Sequence, residues 1–155
     1  MSSDAGERAI HHPEGPAQSG FNRELGLNFI SASDSEVVAE IEVSEKHLQP
    51  MGIVHGGVYC ALAETVCSVG AYLAVAPLGL LVVGVDNHTS FLRATRAGTL
   101  RVTGKPITRG RRTQLWEASI KNERDELVAT GRVRLLCVEA GANLGGEAAG
   151  VKTRD

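Results

Sequence analysis

Between Val37 and Val43 the chain alternates: Val37, Ala39, Ile41 and Val43 interleave with Glu36, Val38, Glu40 and Glu42. A period of two with one apolar set is the pattern of a strand with one buried face. Val58 to Ala76 reads differently. It is rich in Ala, Leu and Val and meets no proline before Pro77. It is long enough for about five helical turns and apolar nearly all round, which predicts a buried helix. After Pro77 and Gly79 the strand pattern returns at Leu80 to Phe91 and Thr99 to Ile107. Thr113 to Lys121 and Leu127 to Val138 follow as a hairpin turning at Asn122 to Glu126. Ahead of the long helix lie a short helix near Phe21 to Leu25, a strand near Leu27 to Ala32, and a connecting loop, Ser44 to Val54, holding Pro50 and Gly52. This order predicts an α+β fold in which an antiparallel sheet wraps round one long helix.

Composition adds boundaries. The 155 residues suit one domain. Residues 1–20, rich in Ser, Gly, Pro and charge, are expected to form a disordered arm, and the Gly- and Ala-rich residues 140–155 a flexible tail. The folded domain is then 21–139. A net charge of -2 leaves no general electrostatic footprint for nucleic acid. No apolar run is read as reaching the roughly 18 residues of a membrane span, and Met1 to Ile10 carries no signal-peptide core. The expectation is a cytoplasmic protein with no membrane partner. Three cysteines, Cys60, Cys67 and Cys137, give an odd count without paired spacing, which argues for reduced thiols.

The chemistry concentrates in Gln49 to Ser68. Glu64 is a lone carboxylate in the middle of an otherwise apolar helix. Burying it ionised without partners costs several kcal/mol, so such a group marks a site; an ion pair with Arg93 or a solvated groove would also house it. Ser68, four residues on, shares the face of Glu64, although a helix hydroxyl commonly bonds back to the preceding turn. Gly56 and Gly57 open the helix, where backbone N–H groups lack intrahelical partners and suit a developing oxyanion. A plain tight turn would use the same pair. Gly56 and Glu64 stand eight residues, about 12 Å, apart along the axis. One carbonyl cannot touch both, so a real site demands two copies of the chain. Asn87-His88-Thr89 interrupts an apolar strand, and His55 and His88 are candidates for pocket lining or for hydrogen-bonded structural roles. Gly110-Arg111-Arg112 forms a basic turn, either solvated or suited to phosphate. No metal-ligand spacing is present, and no metal is expected.

His55-Gly56-Gly57-Val58-Tyr59-Cys60-Ala61-Leu62-Ala63-Glu64 closely resembles the helix motif of hotdog-fold thioesterases, in the PaaI-like and 4-hydroxybenzoyl-CoA thioesterase subgroup that uses a helix glutamate. The likeness extends over Asn87 to Arg93 and Gly110 to Trp116 and covers nearly all of Phe21 to Glu139. It implies a hotdog fold and hydrolysis of an aryl- or medium-chain acyl-CoA to free acid and coenzyme A. By position, Glu64 matches the carboxylate that attacks the thioester or activates water. Gly56 matches the oxyanion donor, and Gln49 a glutamine that positions the carbonyl or water. Ser68 falls where the benzoyl-CoA enzymes carry threonine, which bears on acyl preference. His55, Gly57, Asn87, His88 and Thr89 are candidates for substrate contact, and Arg109, Arg111 and Arg112 for the coenzyme A phosphates. The resemblance further implies no cofactor beyond the coenzyme A of the substrate, a homodimer with sites between subunits, and a dimer of dimers. Two other functions are open: a hotdog dehydratase or hydratase, which the Gly-Gly…Glu helix fits less well, and a non-catalytic acyl-CoA sensor, for which the arm is too short to hold a DNA-binding domain.

Overall fold

In the computed structural model, which describes residues 15–150, Val37, Ala39 and Ile41 turn inward with at most 1% of their surface exposed. They make strand β2 (Val37–Glu42) one wall of the core. Strand β1 (Asn28–Ala32) pairs with it antiparallel, after the short helix α1 (Phe21–Leu25). The chain then runs into the long helix α2 (Gly56–Val75) and returns as β3 (Leu80–Phe91), β4 (Thr99–Arg109), β5 (Thr113–Lys121) and β6 (Leu127–Glu139). All pairs are antiparallel, and the order across the sheet is β1-β2-β4-β5-β6-β3. The α+β expectation is met: β2 through β6 all pack on α2.

The core forms where alternation on the strands meets α2. Leu62, Ala63 and Val66 of the helix are fully buried with Leu100, Val102, Trp116, Ile120, Val133 and Leu135. Each fully buried Leu, Ile or Val contributes about 1.5–3 kcal/mol. Trp116 reaches the helix because Gly70 has no side chain; a Cβ there would collide with the indole ring.

Several boundaries and expectations shift. The helix begins at Gly56 because His55 caps it. It is not buried all round: Tyr72 is 40% exposed, and Glu64, Thr65 and Ser68 are half-buried. The sheet curls round one side of α2 and leaves the other open. The stretch Gly56–Leu78 is long and apolar enough to cross a membrane by length and composition, which corrects the reading that no such run exists. Its apolarity has a use in the fold, as the helix a sheet packs on. Within the expected tail, β7 (Asn143–Leu144) pairs with β8 (Glu147–Ala148), and Gly15–Gln18 of the expected arm forms a 3-10 turn. Residues 1–14 and 151–155 lie outside the described residues.

At the two sheet edges, β1 is five residues long and bulged, while β3 is twelve residues long and pairs with β6 alone.

Candidate active site

The loop before α2 is braced by a buried histidine. His47 Nε2 donates to Leu25 O at 2.8 Å, its Nδ1 accepts from Ser44 N–H at 2.9 Å, and its carbonyl accepts from His55 N–H at 2.8 Å. Gly52, in the left-handed region at φ 71°, lets the chain turn so that Gln49 N–H and Ile53 O meet at 2.8 Å. Gln49 Oε1 accepts from Met51 N–H, which leaves the Gln49 NH2 group free to donate.

His55 then decides which amides of the helix start remain available. Gly57 N–H donates to His55 Nδ1 at 2.8 Å, and Val58 N–H to His55 O at 2.9 Å. Gly56 N–H has no partner among the described residues, and a donor at a helix N-terminus carries partial positive charge. A cavity of about 300 Å³ opens beside it, lined in part by Gln49, Ile53, Gly56, Tyr59, Phe91 and Arg93. Phe91 lies against Gly56 where a Cβ would otherwise sit, and its ring is tilted on Tyr59 with centroids 5.8 Å apart. Burial pushes the Tyr59 hydroxyl above the usual tyrosine pKa, partly offset by Thr95. The two hydroxyls face each other without good hydrogen-bond geometry.

Glu64 sits two turns further along α2. Asn87 Nδ2 donates to Glu64 Oε2 and to Cys60 O, both at 3.0 Å, while Thr89 Oγ1 donates to Asn87 Oδ1 at 2.6 Å. Glu64 Oε1 rests on the bare α-carbon of Gly84, where a Cβ would overlap it. Among the described residues Glu64 forms no ion pair, so the Arg93 alternative does not apply. Cys67, one turn on, is held strongly toward its protonated form by burial first, then by the negative charges of Glu64 and Glu117. Ser68 is half-buried and makes no bond to the preceding turn.

Other candidates fall elsewhere. His88 points to the opposite face of the sheet, into an open groove with Ser90, Thr130 and Arg132, because alternation along β3 separates it from Asn87 and Thr89. Arg109 is tied to Asp34, donating to its carboxylate and carbonyl, each at 3.1 Å. Arg111 and Arg112 are exposed in the β4–β5 turn. That turn precedes Gln114, which bonds Ala71 O, so it lies near the end of α2 opposite Gly56. Gly84 was missed by sequence reasoning, although a glycine inside an apolar strand signals a bulge or a close approach.

A long helix held in a curled six-stranded antiparallel sheet is the hotdog architecture. Comparison with known proteins agrees. Residues 51–129 match the thioesterase superfamily model. The chain is 43% identical over 122 residues to Rv1847 of Mycobacterium tuberculosis, spanning 77% of this chain and 87% of that one. The solved Rv1847 structure superposes with a TM-score of 0.76, covering 77% of this chain and 97% of the other. A 1,4-dihydroxy-2-naphthoyl-CoA hydrolase of Listeria monocytogenes is 34% identical over 113 residues, 73% of this chain and 91% of its own. The proofreading thioesterase EntH of Cronobacter turicensis is 35% identical over 109 residues, 70% of this chain and 79% of its own. The chain belongs to the thioesterase superfamily.

Proposed function

We propose that this protein hydrolyses an aryl- or medium-chain acyl-CoA to the free acid and coenzyme A, at sites shared between two copies of the chain. The observation that carries the reading is the pairing of Glu64, a half-buried carboxylate with no cation on it among the described residues, with Gly56, an N–H with no acceptor among them. A thioester carbonyl needs both a donor for its oxyanion and a nucleophile or base. The two stand about 12 Å apart on one helix, so one copy supplies the amide and the other the carboxylate. The long β3 edge supports such pairing, since an exposed edge strand is a template for a second one. Two such dimers then pair further.

In the proposed mechanism the thioester oxygen takes the Gly56 N–H, and the free NH2 of Gln49 steadies the carbonyl or the water. Glu64 of the other copy either deprotonates the attacking water and passes that proton to the departing coenzyme A thiolate, or attacks the carbonyl itself, expelling the thiolate and forming a mixed anhydride that water then cleaves to the free acid and Glu64, with a proton of that water going to the thiolate. An oxyanion donor of this kind is worth about 3 kcal/mol of barrier. Ser68, on the Glu64 face, contacts the water or the acyl group. Arg111 and Arg112 bind the coenzyme A phosphates; Arg109 takes part by giving up Asp34. The aryl arm of the proposal draws support from the aryl acyl-CoA in the name of the Listeria relative. The free thiols of Cys60, Cys67 and Cys137 suit the reducing cytoplasm, where we place the protein.

The test is release of free thiol from benzoyl-, phenylacetyl- and medium-chain acyl-CoA. Glu64→Ala and Glu64→Gln should each cut turnover by roughly 10²–10⁴-fold while the fold and dimer persist. Unchanged turnover in both variants refutes the assignment.

A further inference from the structure

Strand β3 contains an irregularity that the site depends on. Its pairing with β6 is regular from Leu80 to Gly84 and again from Asp86 to Phe91, but the register slips between Gly84 and Asp86, leaving Val85 as an extra residue, 58% exposed. In a regular strand, residues 84 and 87 point to opposite faces. An inserted residue reverses that relation, and here both Gly84 and Asn87 face Glu64. Asp86 is released to the other face, where it pairs with Arg134 at 3.2 Å.

The two inward positions act on different oxygens of one carboxylate. Asn87 can serve as a donor to Glu64 only if its amide is turned the right way, and partners decide that. Thr89 supplies the decision. Its hydroxyl donates to Asn87 Oδ1, which sends both Asn87 N–H groups toward α2, one to Cys60 O and one to Glu64 Oε2. Glu64 Oε1 receives no such bond and lies over Gly84, where any side chain would displace it.

We propose that Gly84 and Asn87, brought to one face by the Val85 bulge and with Asn87 oriented by Thr89, are positioning residues that tether one oxygen of Glu64 and present the other to the substrate. The proposal rests on the reading of Glu64 as the catalytic carboxylate. It gives Asn87 and Thr89 a role through Glu64 in place of substrate contact. A neutral amide holds the carboxylate still without placing a cation beside it.

Two measurements test this on the full-length chain, with benzoyl-CoA as the probe substrate. In kinetics, Asn87→Ala and Thr89→Val should each lower kcat roughly 10–100-fold, the scale set by a misplaced reacting group, with KM changed little. Thr89→Ser, which keeps the hydroxyl, should recover most of the loss seen with Thr89→Val. A rise in KM with kcat unchanged would place these residues on the substrate and overturn the proposal. In thermal unfolding, which needs no substrate, Gly84→Ala should lower Tm by about 1–2 °C in the native background, the shift expected when the added Cβ swings the Glu64 carboxylate away and an exposed hydrogen bond of roughly 0.5 kcal/mol is lost. In the Glu64→Ala background the same change should lower Tm little or not at all, because the carboxylate it meets is gone. Equal losses in both backgrounds mean that Gly84 does not seat Glu64, and the proposal falls whatever Glu64 does. Thermal coupling together with undiminished kcat in Glu64→Ala overturns the catalytic reading of Glu64 instead, and with it the positioning role.

Discussion

Strands β5 and β3 each send an amide side chain to a carbonyl of α2, and the two arrangements match group for group. On β5, Trp116 Nε1 donates to Gln114 Oε1 at 2.8 Å, and Gln114 Nε2 donates to Ala71 O at 3.1 Å. On β3, Thr89 donates to Asn87, and Asn87 to Cys60 O. In each pair a donor two residues along the same strand fixes the amide, and the amide docks on the helix. Cys60 and Ala71 are three turns apart, about 16 Å along α2. The difference lies in surroundings and in the spare N–H. Trp116 and Gln114 are 0% and 1% exposed, and the second Gln114 hydrogen finds only the Cys137 sulfur at 3.7 Å. Asn87 is exposed, and its second hydrogen goes to Glu64. The comparison separates two uses of one motif. A dry relay holds the fold, since a polar group left unpaired there is costly. A wet relay is expected to contribute little to stability, and here its spare N–H holds a carboxylate.

Stability measurements can break that comparison. Trp116→Ala should show the largest effect, about 3–5 kcal/mol in denaturant unfolding, from lost burial and the cavity left behind. Gln114→Met, which keeps bulk but leaves the indole N–H without its acceptor, should cost about 1–3 kcal/mol. Asn87→Ala should cost less than about 1 kcal/mol, as expected of an exposed hydrogen bond. If Asn87→Ala destabilises as much as Gln114→Met, the exposed relay is structural and the distinction fails. If Gln114→Met is neutral, the buried relay is not holding the fold.

Much of the architecture was legible because local patterns and tertiary packing agree. The bounds of α1, β3 and β5 coincide with those read from the sequence, and the turn at Asn122 to Glu126 forms where its residue types suggest, with Asn122 Oδ1 accepting from both Arg124 and Glu126 N–H at 3.0 Å. The helix opens at the Gly56-Gly57 pair, as read from the sequence, while His55 supplies a cap that propensity does not register. The open face of α2 was misread because an apolar helix looks alike whether a sheet or a second molecule covers it. At the site, Glu64 and Gly56 stand out by chemistry alone. Asn87, His88 and Thr89 were grouped by adjacency, yet strand alternation sends His88 away from the other two. Arg109 meets Asp34 across 75 residues of sequence, and no local pattern signals so distant a partner. The bulge at Val85 was hidden for a related reason: a slip in register belongs to two strands at once and cannot be read from either.

A carboxylate resting on a bare α-carbon makes two positions inherit each other's history. While residue 64 is glutamate, a Cβ at 84 drives the carboxylate tip out of its place, so a lineage that keeps the acid there is expected to favour glycine at 84. A lineage that abandons the acid is released at 84 as well. Among related chains the two sites should therefore drift together, with glycine at 84 surviving where glutamate survives at 64 and giving way where it does not.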